Sequence, residues 1–295
     1  MWSLKSLTIE DKMIFDQFLH IDPPEASEYT FTNLFMWRGK YHPSWTIIDD
    51  CLVIVMHPDG EAPFGLFPVG SGDKRSALKS LKKMLLDYSD RPLISRVEKR
   101  MIESFVDNSE FVIRFDRNNC DYVYVSDHLI RLPGNRYHKK KNHLNRFKKK
   151  WSFEYVGFHE DLIKKLLQLQ EDWCEYRECN GSVDLNFEDS AVVEALKNYQ
   201  SLGFLGGAIL LDGKVEAFSF GEMLNPETAV IHIEKANPRI PELYTAINQM
   251  FAMNNWSEVK FINREQDLGL EGLRKAKESY YPDHLVEKYV LEGST

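Results

Sequence analysis

Two titratable residues lie two positions apart in the segment IHIEK, at residues 231–235. The pattern around His232 and Glu234 is typical of a β-strand, in which side chains two apart point to the same face. A histidine titrates near neutral pH and a carboxylate can also accept a proton, so either residue could act as a general base. The alternative is that both face a neighbouring helix and make ordinary hydrogen bonds.

A second polar group, NREQD at residues 263–267, follows a predicted strand where a loop begins. Functional side chains often collect at such strand ends. Arg264 is suited to bidentate contact with a carboxylate or phosphate, and Asp267 could pair with a substrate ammonium. We therefore expect Asn263, Arg264 and Asp267 to bind substrate. For Asp267 a simple helix-capping role stays open.

The helix predicted after this loop carries Lys277. Helical spacing places Lys277 on one face with Leu270 and Leu273, with Tyr280 just beyond. An inward lysine can stabilise an oxyanion or hold a phosphate, and we expect Tyr280 to line the same substrate site. The alternative is a lysine whose stem lies on apolar surface while its ammonium reaches water.

Positive charge is concentrated in LPGNRYHKKKNHLNRFKKKW, at residues 132–151. Residues 131–150 hold nine of the 37 Lys and Arg and no acid, in a chain of net charge −8. Helical spacing puts Tyr137, Leu144, Phe147 and Trp151 on one apolar stripe. The opposite face carries His138, Lys139, Asn142, Arg146, Lys149 and Lys150.

We expect this basic segment to bind tRNA or another phosphate-bearing ligand, because neutralised phosphates give salt-dependent affinity. The side chains expected to bind the polyanion are Arg136, Lys139, Lys140, Arg146 and Lys149. Two alternatives stay open. The acidic remainder of the chain could pair with the segment, or an anionic membrane surface could attract it as a peripheral contact.

The composition of the 295-residue chain, with 43% hydrophobic residues, is that of a globular protein. No apolar run approaches the roughly 18 residues of a membrane span, and the first residues lack a signal-peptide core, so we expect a cytoplasmic protein. Cys51, Cys120, Cys174 and Cys179 show no metal-binding or disulfide-framework spacing. We therefore expect reduced, buried thiols and no metal site.

The predicted elements describe two α/β regions with mixed sheets. Apolar periodicity predicts helices at 10–20, 74–88, 98–105, 161–177, 189–200, 242–254 and 270–279. Strands are predicted at 45–48, 51–56, 64–68, 93–95, 111–115, 122–125, 204–211, 214–223, 229–234, 259–262 and 285–291. Asp49–Asp50 and Asp212–Gly213 are predicted hairpin turns. This order predicts an N-terminal domain at 1–130, a basic linking helix at 131–152 and a C-terminal domain at 153–295.

Four segments resemble a known family of bacterial proteins. They are FTNLFMWR, the basic segment, VIHIEKANPRIPELYTAINQMF and NREQDLGLEGLRKAKESYYP. They are similar to the C-terminal, cytosolic domain of phosphatidylglycerol lysyltransferase. The resemblance implies two tandem domains of the acyl-CoA N-acyltransferase (GNAT) fold, the second more complete and active. It also implies transfer of an aminoacyl or acyl group to an amine or hydroxyl, with aminoacyl-tRNA as donor. Lys277 and Glu278 match a Lys-Glu step implicated in the activity of those enzymes.

Two departures from the family narrow this expectation. The chain lacks the multi-helix membrane domain of the lysyltransferases, which argues against a bilayer phospholipid substrate. The loop NPRIPELY lacks a glycine-rich phosphate cradle, and Pro241 has no backbone N–H for a diphosphate. We therefore expect no tightly bound cofactor, and acyl-CoA ranks below aminoacyl-tRNA as donor. A non-catalytic GNAT-fold protein that binds a phosphate-bearing ligand and a CoA-dependent N-acyltransferase remain as alternatives.

Overall fold

Two β-sheets, each combining antiparallel strands with a parallel pair, form the framework of the chain. This computed structural model describes residues 3–293, with the backbone alone for Asn180. The predicted α/β class with mixed sheets is confirmed. In the described part of the chain, no helix combines the length and the apolar character needed to cross a membrane.

The helices follow one another along the whole chain. They are α1 (Lys12–Ile21), α2 (Phe31–Met36), α3 (Arg38–Tyr41), α4 (Lys74–Leu85), α5 (Lys99–Phe105), α6 (Ser126–Arg131), α7 (His138–Lys150), α8 (Ile163–Arg177), α9 (Val183–Lys197), α10 (Tyr199–Leu202), α11 (Leu243–Asn255) and α12 (Glu271–Glu278).

The strands alternate with these helices. They are β1 (Lys5–Ser6), β2 (Ser44–Ile48), β3 (Cys51–Met56), β4 (Phe64–Leu66), β5 (Val69–Gly70), β6 (Leu93–Glu98), β7 (Phe111–Phe115), β8 (Asp121–Val125), β9 (Phe153–Gly157), β10 (Leu205–Leu211), β11 (Lys214–Asn225), β12 (Thr228–Ala236), β13 (Phe261–Asn263), β14 (His284–Val286) and β15 (Lys288–Gly293).

The first sheet has the strand order β1-β2-β3-β4-β6-β15-β7, and β5 also pairs with β3. The predicted turn between β2 and β3 is present, with φ of 49° at Asp49 and 54° at Asp50. Both values are positive, as a type I′ hairpin turn requires. Helix α4 was predicted at 74–88 from apolar periodicity, and its Leu78, Leu81 and Leu85 are buried in the core of this unit.

The second sheet has the strand order β14-β8-β13-β12-β11-β10-β9. Its β10–β11 hairpin turns at Asp212 and Gly213, with φ of 49° and 78°. Strands β12 and β13 are parallel, and helix α11 connects them. Their pairing ends where Val230 lies opposite Asn263. Beyond this point β12 continues without β13 and stays paired with β11, which leaves an opening between β12 and β13.

The two sheets repeat one local arrangement. In the first sheet the parallel pairing of β4 with β6 ends at Ser95, and Arg96 follows. In the second sheet the pairing of β12 with β13 ends at Asn263, and Arg264 follows. The Nε of Arg96 lies 3.4 Å from a carboxylate oxygen of Glu28. Arg264 pairs with Glu234 at 3.1 Å, so an arginine paired with a glutamate follows the parallel pair in both sheets.

The chain forms two compact units whose boundaries differ from the predicted domains 1–130 and 153–295. The first comprises the chain up to Asp121, Gln266–Arg274 and the part from Leu285 onward. The second comprises Tyr122–Glu265 and Lys275–His284, and it includes the basic helix α7. The difference arises because β15 pairs with β6 and β7 of the first sheet. Hydrogen-bond partners, and not position along the chain, decide which sheet a strand joins.

The expectation that all four cysteines are reduced was wrong for one pair. Cys174 and Cys179 form a disulfide, whereas Cys51 and Cys120 are free and buried. Helix α8 ends just before Glu178, which adopts the left-handed conformation with φ of 54°. This reversal brings the Cα atoms of the two cysteines to 5.1 Å, within the range that a disulfide can bridge.

Candidate functional site

The candidate site lies in the second compact unit, at the opening where β12 and β13 separate. After Asn263 the chain leaves β12, and the Arg264 backbone N–H donates to the Tyr122 carbonyl of β8 at 2.9 Å. The Tyr122 N–H in turn donates to the Glu265 carbonyl at 3.1 Å. Side chains of β12 therefore face Arg264 and Glu265 across the opening, and two pairs of opposite charge span it.

The first pair joins Arg264 to Glu234. The Nη2 of Arg264 lies 3.1 and 3.3 Å from the two Glu234 carboxylate oxygens, and Asn248 Nδ2 donates to one of them at 3.1 Å. The guanidinium carbon lies 5.6 Å from the Tyr124 ring and 5.0 Å from the Tyr280 ring. Burial, the largest single effect, would lower the pKa of Arg264. The charge and hydrogen bond of Glu234, together with Tyr124 and Tyr280, outweigh it and raise that pKa. Among the described residues, Arg264 Nη1 is buried without a hydrogen-bond partner.

The second pair is a buried histidine between two carboxylates. His232 Nδ1 lies 2.9 Å from Glu265, and its Nε2 lies 3.0 Å from Glu222. Burial would lower the pKa of His232, but these two carboxylates raise it to about 9. The imidazole is therefore charged at neutral pH, and both ring nitrogens carry protons. A general-base role for His232 conflicts with this state. His232 and Glu234, expected to share one site, have separate partners.

Lys277 is buried, as its predicted inward orientation requires. Its Nζ donates to the backbone carbonyl of Arg264, and its own carbonyl accepts from the Tyr124 hydroxyl at 2.8 Å. Lys277 therefore fixes the backbone that carries Arg264. The expectation that Leu270 and Leu273 share its inward face was wrong, because they are 59% and 38% exposed. The C-terminal part of α12, which carries Lys277, is buried, whereas the first turn of α12 is exposed to solvent.

Two predicted substrate-binding residues are engaged in local structure. Asn263 is fully buried, and its Oδ1 accepts from the Glu265 N–H at 2.8 Å. Asp267, in the first compact unit, is also fully buried. Arg274 contacts its two carboxylate oxygens at 2.7 and 3.0 Å, and the Gly269 N–H donates to it at 2.8 Å. These contacts hold the loop before α12, which begins at Glu271, and they argue against contact with a substrate ammonium. The helix-capping role of Asp267 stays a prediction.

Helix α7 has the predicted amphipathic form. Tyr137, Leu144 and Phe147 are buried, and Trp151 is half-buried just beyond the end of the helix. The residues predicted for the outer face are all exposed: His138, Lys139, Asn142, Arg146, Lys149 and Lys150. The buried stripe holds α7 on the second unit and leaves the cationic face to solvent.

The predicted polyanion-binding residues differ in their contacts. Arg146 pairs with Glu242 at 3.0 Å, and Glu242 is the residue just before α11 begins. Arg136 lies over the rings of Tyr137 and Tyr281 and is exposed. Considering residues 3–293, the ammonium groups of Lys139 and Lys149 form no ion pair. Internal pairing with the acidic remainder is thus present at Arg146 and absent at these two lysines.

Lys140, predicted as a polyanion contact, lies at the opening itself. Its Nζ is 3.8 Å from the centroid of the Tyr280 ring, and its side chain is half-buried. Burial, together with the charges of Arg264 and Lys139, lowers the pKa of Lys140 to about 8. The sequence contains a signal for this position, because Lys140 is three residues after Tyr137 and four before Leu144. These intervals place it on the buried stripe of α7.

Three residues that complete the site were not predicted as site residues, although Glu265 lies in the polar group NREQD. Glu222 and Glu265 reach His232 from other segments, and Asn248 reaches Glu234 from α11. They lie 10, 33 and 14 residues from their partners and in different segments, so the period of a single helix or strand does not relate them. Within the described chain, no group of three or more His, Cys, Asp or Glu side chains is arranged to hold a metal ion.

Solved structures share this architecture. A tandem GNAT protein from the clavulanic acid biosynthesis pathway has a TM-score of 0.52 and 9% identity, over 99% of this chain and 99% of that chain. L-PGS from Bacillus licheniformis has a TM-score of 0.67 and 13% identity, over 97% of this chain and 92% of that chain. The chain thus has a tandem GNAT-like, acyltransferase-type fold, as predicted.

The sequence comparison is more specific. The family model for the C-terminal region of phosphatidylglycerol lysyltransferase matches residues 22–292, so the chain belongs to this family. A conserved protein of unknown function from Bacteroides thetaiotaomicron is 33% identical, with a TM-score of 0.92 over 100% of both chains. A search of curated proteins finds no match. The predicted family is confirmed.

Proposed function

We propose that the chain transfers an aminoacyl group from aminoacyl-tRNA to an amine or hydroxyl acceptor at the opening between β12 and β13. The observation that carries this proposal is the position of Arg264, a charged side chain whose Nη1 donor has no partner within residues 3–293. Such a donor at a strand opening can bind the oxygen that gains negative charge when an ester is attacked. The family, named for a lysyltransferase, fits the same reaction class.

In this proposal the residues around Arg264 set its position. Glu234, which accepts from Asn248, contacts one side of the guanidinium group, and Lys277 holds the backbone carbonyl. The charged His232 ties β12 to Glu265 and so keeps the two edges of the opening together. These residues position the group that binds the substrate, and they need not touch the substrate themselves.

The cationic face of α7 supplies the proposed donor contact. Lys139 and Lys149 are exposed on the same helix that places Lys140 at the opening. Phosphates bound along this face would direct the aminoacyl end of a tRNA towards Arg264. An acyl-CoA donor is less favoured, because Glu242 occupies the N-cap of α11 and already pairs with Arg146.

The tRNA contact is tested by filter binding of total tRNA across a salt series. We expect the double variant Lys139→Glu/Lys149→Glu to weaken binding and to lower the slope of log affinity against log salt by about 2. The matched control is Lys164→Glu/Lys165→Glu, which reverses two exposed charges at the start of α8. Equal effects of the two double variants, or affinity that ignores salt, would rule out this polyanion site.

The transfer itself is tested with radiolabelled aminoacyl-tRNA and a set of amine and hydroxyl acceptors that includes phosphatidylglycerol vesicles. We expect wild-type protein to move the label to an acceptor, and Lys277→Ala to lose most of this activity because Arg264 is no longer held. Salt-dependent binding without transfer would instead indicate the non-catalytic binding protein. Transfer from acetyl-CoA would indicate the CoA-dependent alternative.

A further inference from the structure

A transfer to an amine or hydroxyl needs a group that accepts the proton of the attacking nucleophile. His232 is poorly suited, because two carboxylates keep both of its nitrogens protonated. Glu234 is also poorly suited, because Arg264 and Asn248 already donate to its oxygens. The two bases expected from the sequence are thus committed to other contacts.

Lys140 differs from both. Its ammonium group lies against the face of the Tyr280 ring, on the buried stripe of α7 and beside Arg264. Across the described residues it forms no hydrogen bond and no ion pair. Its neighbours Lys139 and Lys141 on the same helix are exposed. Lys140 is thus the amine of the basic segment that reaches the opening.

We propose that Lys140 is the proton acceptor of this site, and that its neutral ε-amine deprotonates the nucleophile that attacks the aminoacyl ester. This inference rests on the function proposed above and adds the identity of the base. A lysine that is desolvated next to a cation, here Arg264, is the arrangement in which proteins use lysine as a base or nucleophile.

The charges that face Lys140 come from each neighbouring element. Arg264, after β13, and Lys139, on α7, disfavour its charged form, whereas Glu234 of β12 favours it. Burial is the largest effect, and together these effects lower the pKa of Lys140 to about 8. At pH 7 about a tenth of the side chain is therefore neutral, far more than for a lysine with an ordinary pKa of about 10.4.

The proposed step conserves atoms and charge. The acceptor oxygen or nitrogen attacks the ester carbonyl carbon while its proton passes to the Lys140 ε-amine. Arg264 stabilises the negative charge that forms on the carbonyl oxygen. When the ester C–O bond breaks, the Lys140 ammonium returns the proton to the leaving ribose oxygen. The lysine ends in the state in which it began, and no further reactant is needed.

A measurement that needs no substrate tests the proton affinity of Lys140. Reductive ¹³C-methylation labels the lysines, and Lys140→Arg identifies the Lys140 signal in the NMR spectrum. We expect this signal to titrate near pH 8, about two pH units below the exposed lysines. Titration together with the exposed lysines would overturn the inference.

A transfer assay tests the role of Lys140 in catalysis. We expect Lys140→Arg to keep the affinity for tRNA and to lower kcat by at least about 100-fold, because arginine does not release its proton. The rise of the wild-type rate towards pH 8 should also disappear. Lys165→Arg, at an exposed lysine of α8 outside the basic segment, is the matched control and should keep both the rate and its pH dependence.

The outcomes separate this inference from the proposed function. Wild-type transfer that is retained in Lys140→Arg, with an unchanged pH profile, would leave the proposed function in place and remove Lys140 as the base. If wild-type protein transfers nothing from aminoacyl-tRNA, the proposed function fails. In that case the NMR titration still decides whether Lys140 can accept a proton near neutral pH.

Discussion

Arg264 and Glu234 form an ion pair across the opening between two parallel strands, with Nη2 of the arginine 3.1 Å from Oε2 of the glutamate. Each side chain is 14% exposed, so the pair is largely shielded from water. Removal of one partner would leave the other charge buried and uncompensated. The pair therefore holds Arg264 in place and also makes the site sensitive to substitution.

We expect Glu234→Gln to lower the free energy of unfolding by about 2–4 kcal/mol, because Arg264 then keeps a buried charge without its counter-ion. Urea denaturation measures this change. The matched control is Glu227→Gln, which breaks an ion pair with Lys260 whose side chains are 67% and 61% exposed. This control should lose less than about 1 kcal/mol. If Glu234→Gln lowers the free energy of unfolding no more than the control does, the Arg264–Glu234 pair is not shielded from water.

We expect the contribution of His232 to stability to depend on pH. Its pKa rises from 6.5 to about 9 in the folded protein. The contribution is therefore complete below about pH 6.5 and is lost as pH rises through 9, with a slope of up to about 1.4 kcal/mol per pH unit. Denaturation of wild type and His232→Gln between pH 6 and pH 9.5 measures the difference. A difference that stays constant over this range would show that His232 is not charged in the folded state.

We expect reduction of the Cys174–Cys179 disulfide to lower the free energy of unfolding by about 2 kcal/mol, because a short loop in the unfolded chain is released. Thermal denaturation with and without dithiothreitol measures the effect. The variant Cys174→Ser/Cys179→Ser is the control and should not respond to the reductant. Alkylation of all four cysteines in unfolded, unreduced protein would show instead that the bond does not form.

We expect Asp267→Asn to destabilise the first compact unit by about 2–4 kcal/mol and to leave tRNA affinity unchanged, because Arg274 loses a buried, bidentate partner. Denaturation and filter binding provide the two measurements. Asp283→Asn, at an exposed pair with His284, is the control and should change stability by less than about 1 kcal/mol. Weaker tRNA binding with unchanged stability would instead show that Asp267 takes part in ligand binding.

The local structure was largely predictable because it depends on backbone geometry and burial. The spacing of Tyr137, Leu144 and Phe147 predicted the buried stripe of α7, and Asp212 with Gly213 predicted a hairpin turn. Both were confirmed, because a helical period and a positive φ leave direct marks on residue choice. The same reasoning misjudged Leu270 and Leu273, because periodicity shows which residues share a face and not which part of that face is covered.

The contacts at the site depend on segments that are distant in the sequence. The spacing of His232 and Glu234 marked both as titratable, but it could not show that Glu222 and Glu265 hold the histidine in its charged form. The amphipathic pattern of the basic helix identified its cationic face. The interval from Tyr137 marks Lys140 as part of the buried stripe, but only the packing shows that it meets Tyr280.

The sequence by itself determined the family, the α/β class and the two faces of α7, because these are recorded in motifs and local periods. Three features depended on the tertiary structure alone. They are the pairing of β15 in the first sheet, the disulfide between Cys174 and Cys179, and the contact of Lys140 with Tyr280 beside Arg264. The physical reason is that these outcomes depend on how distant segments pack. Packing also determines the burial and the neighbouring charges that set the pKa of each group.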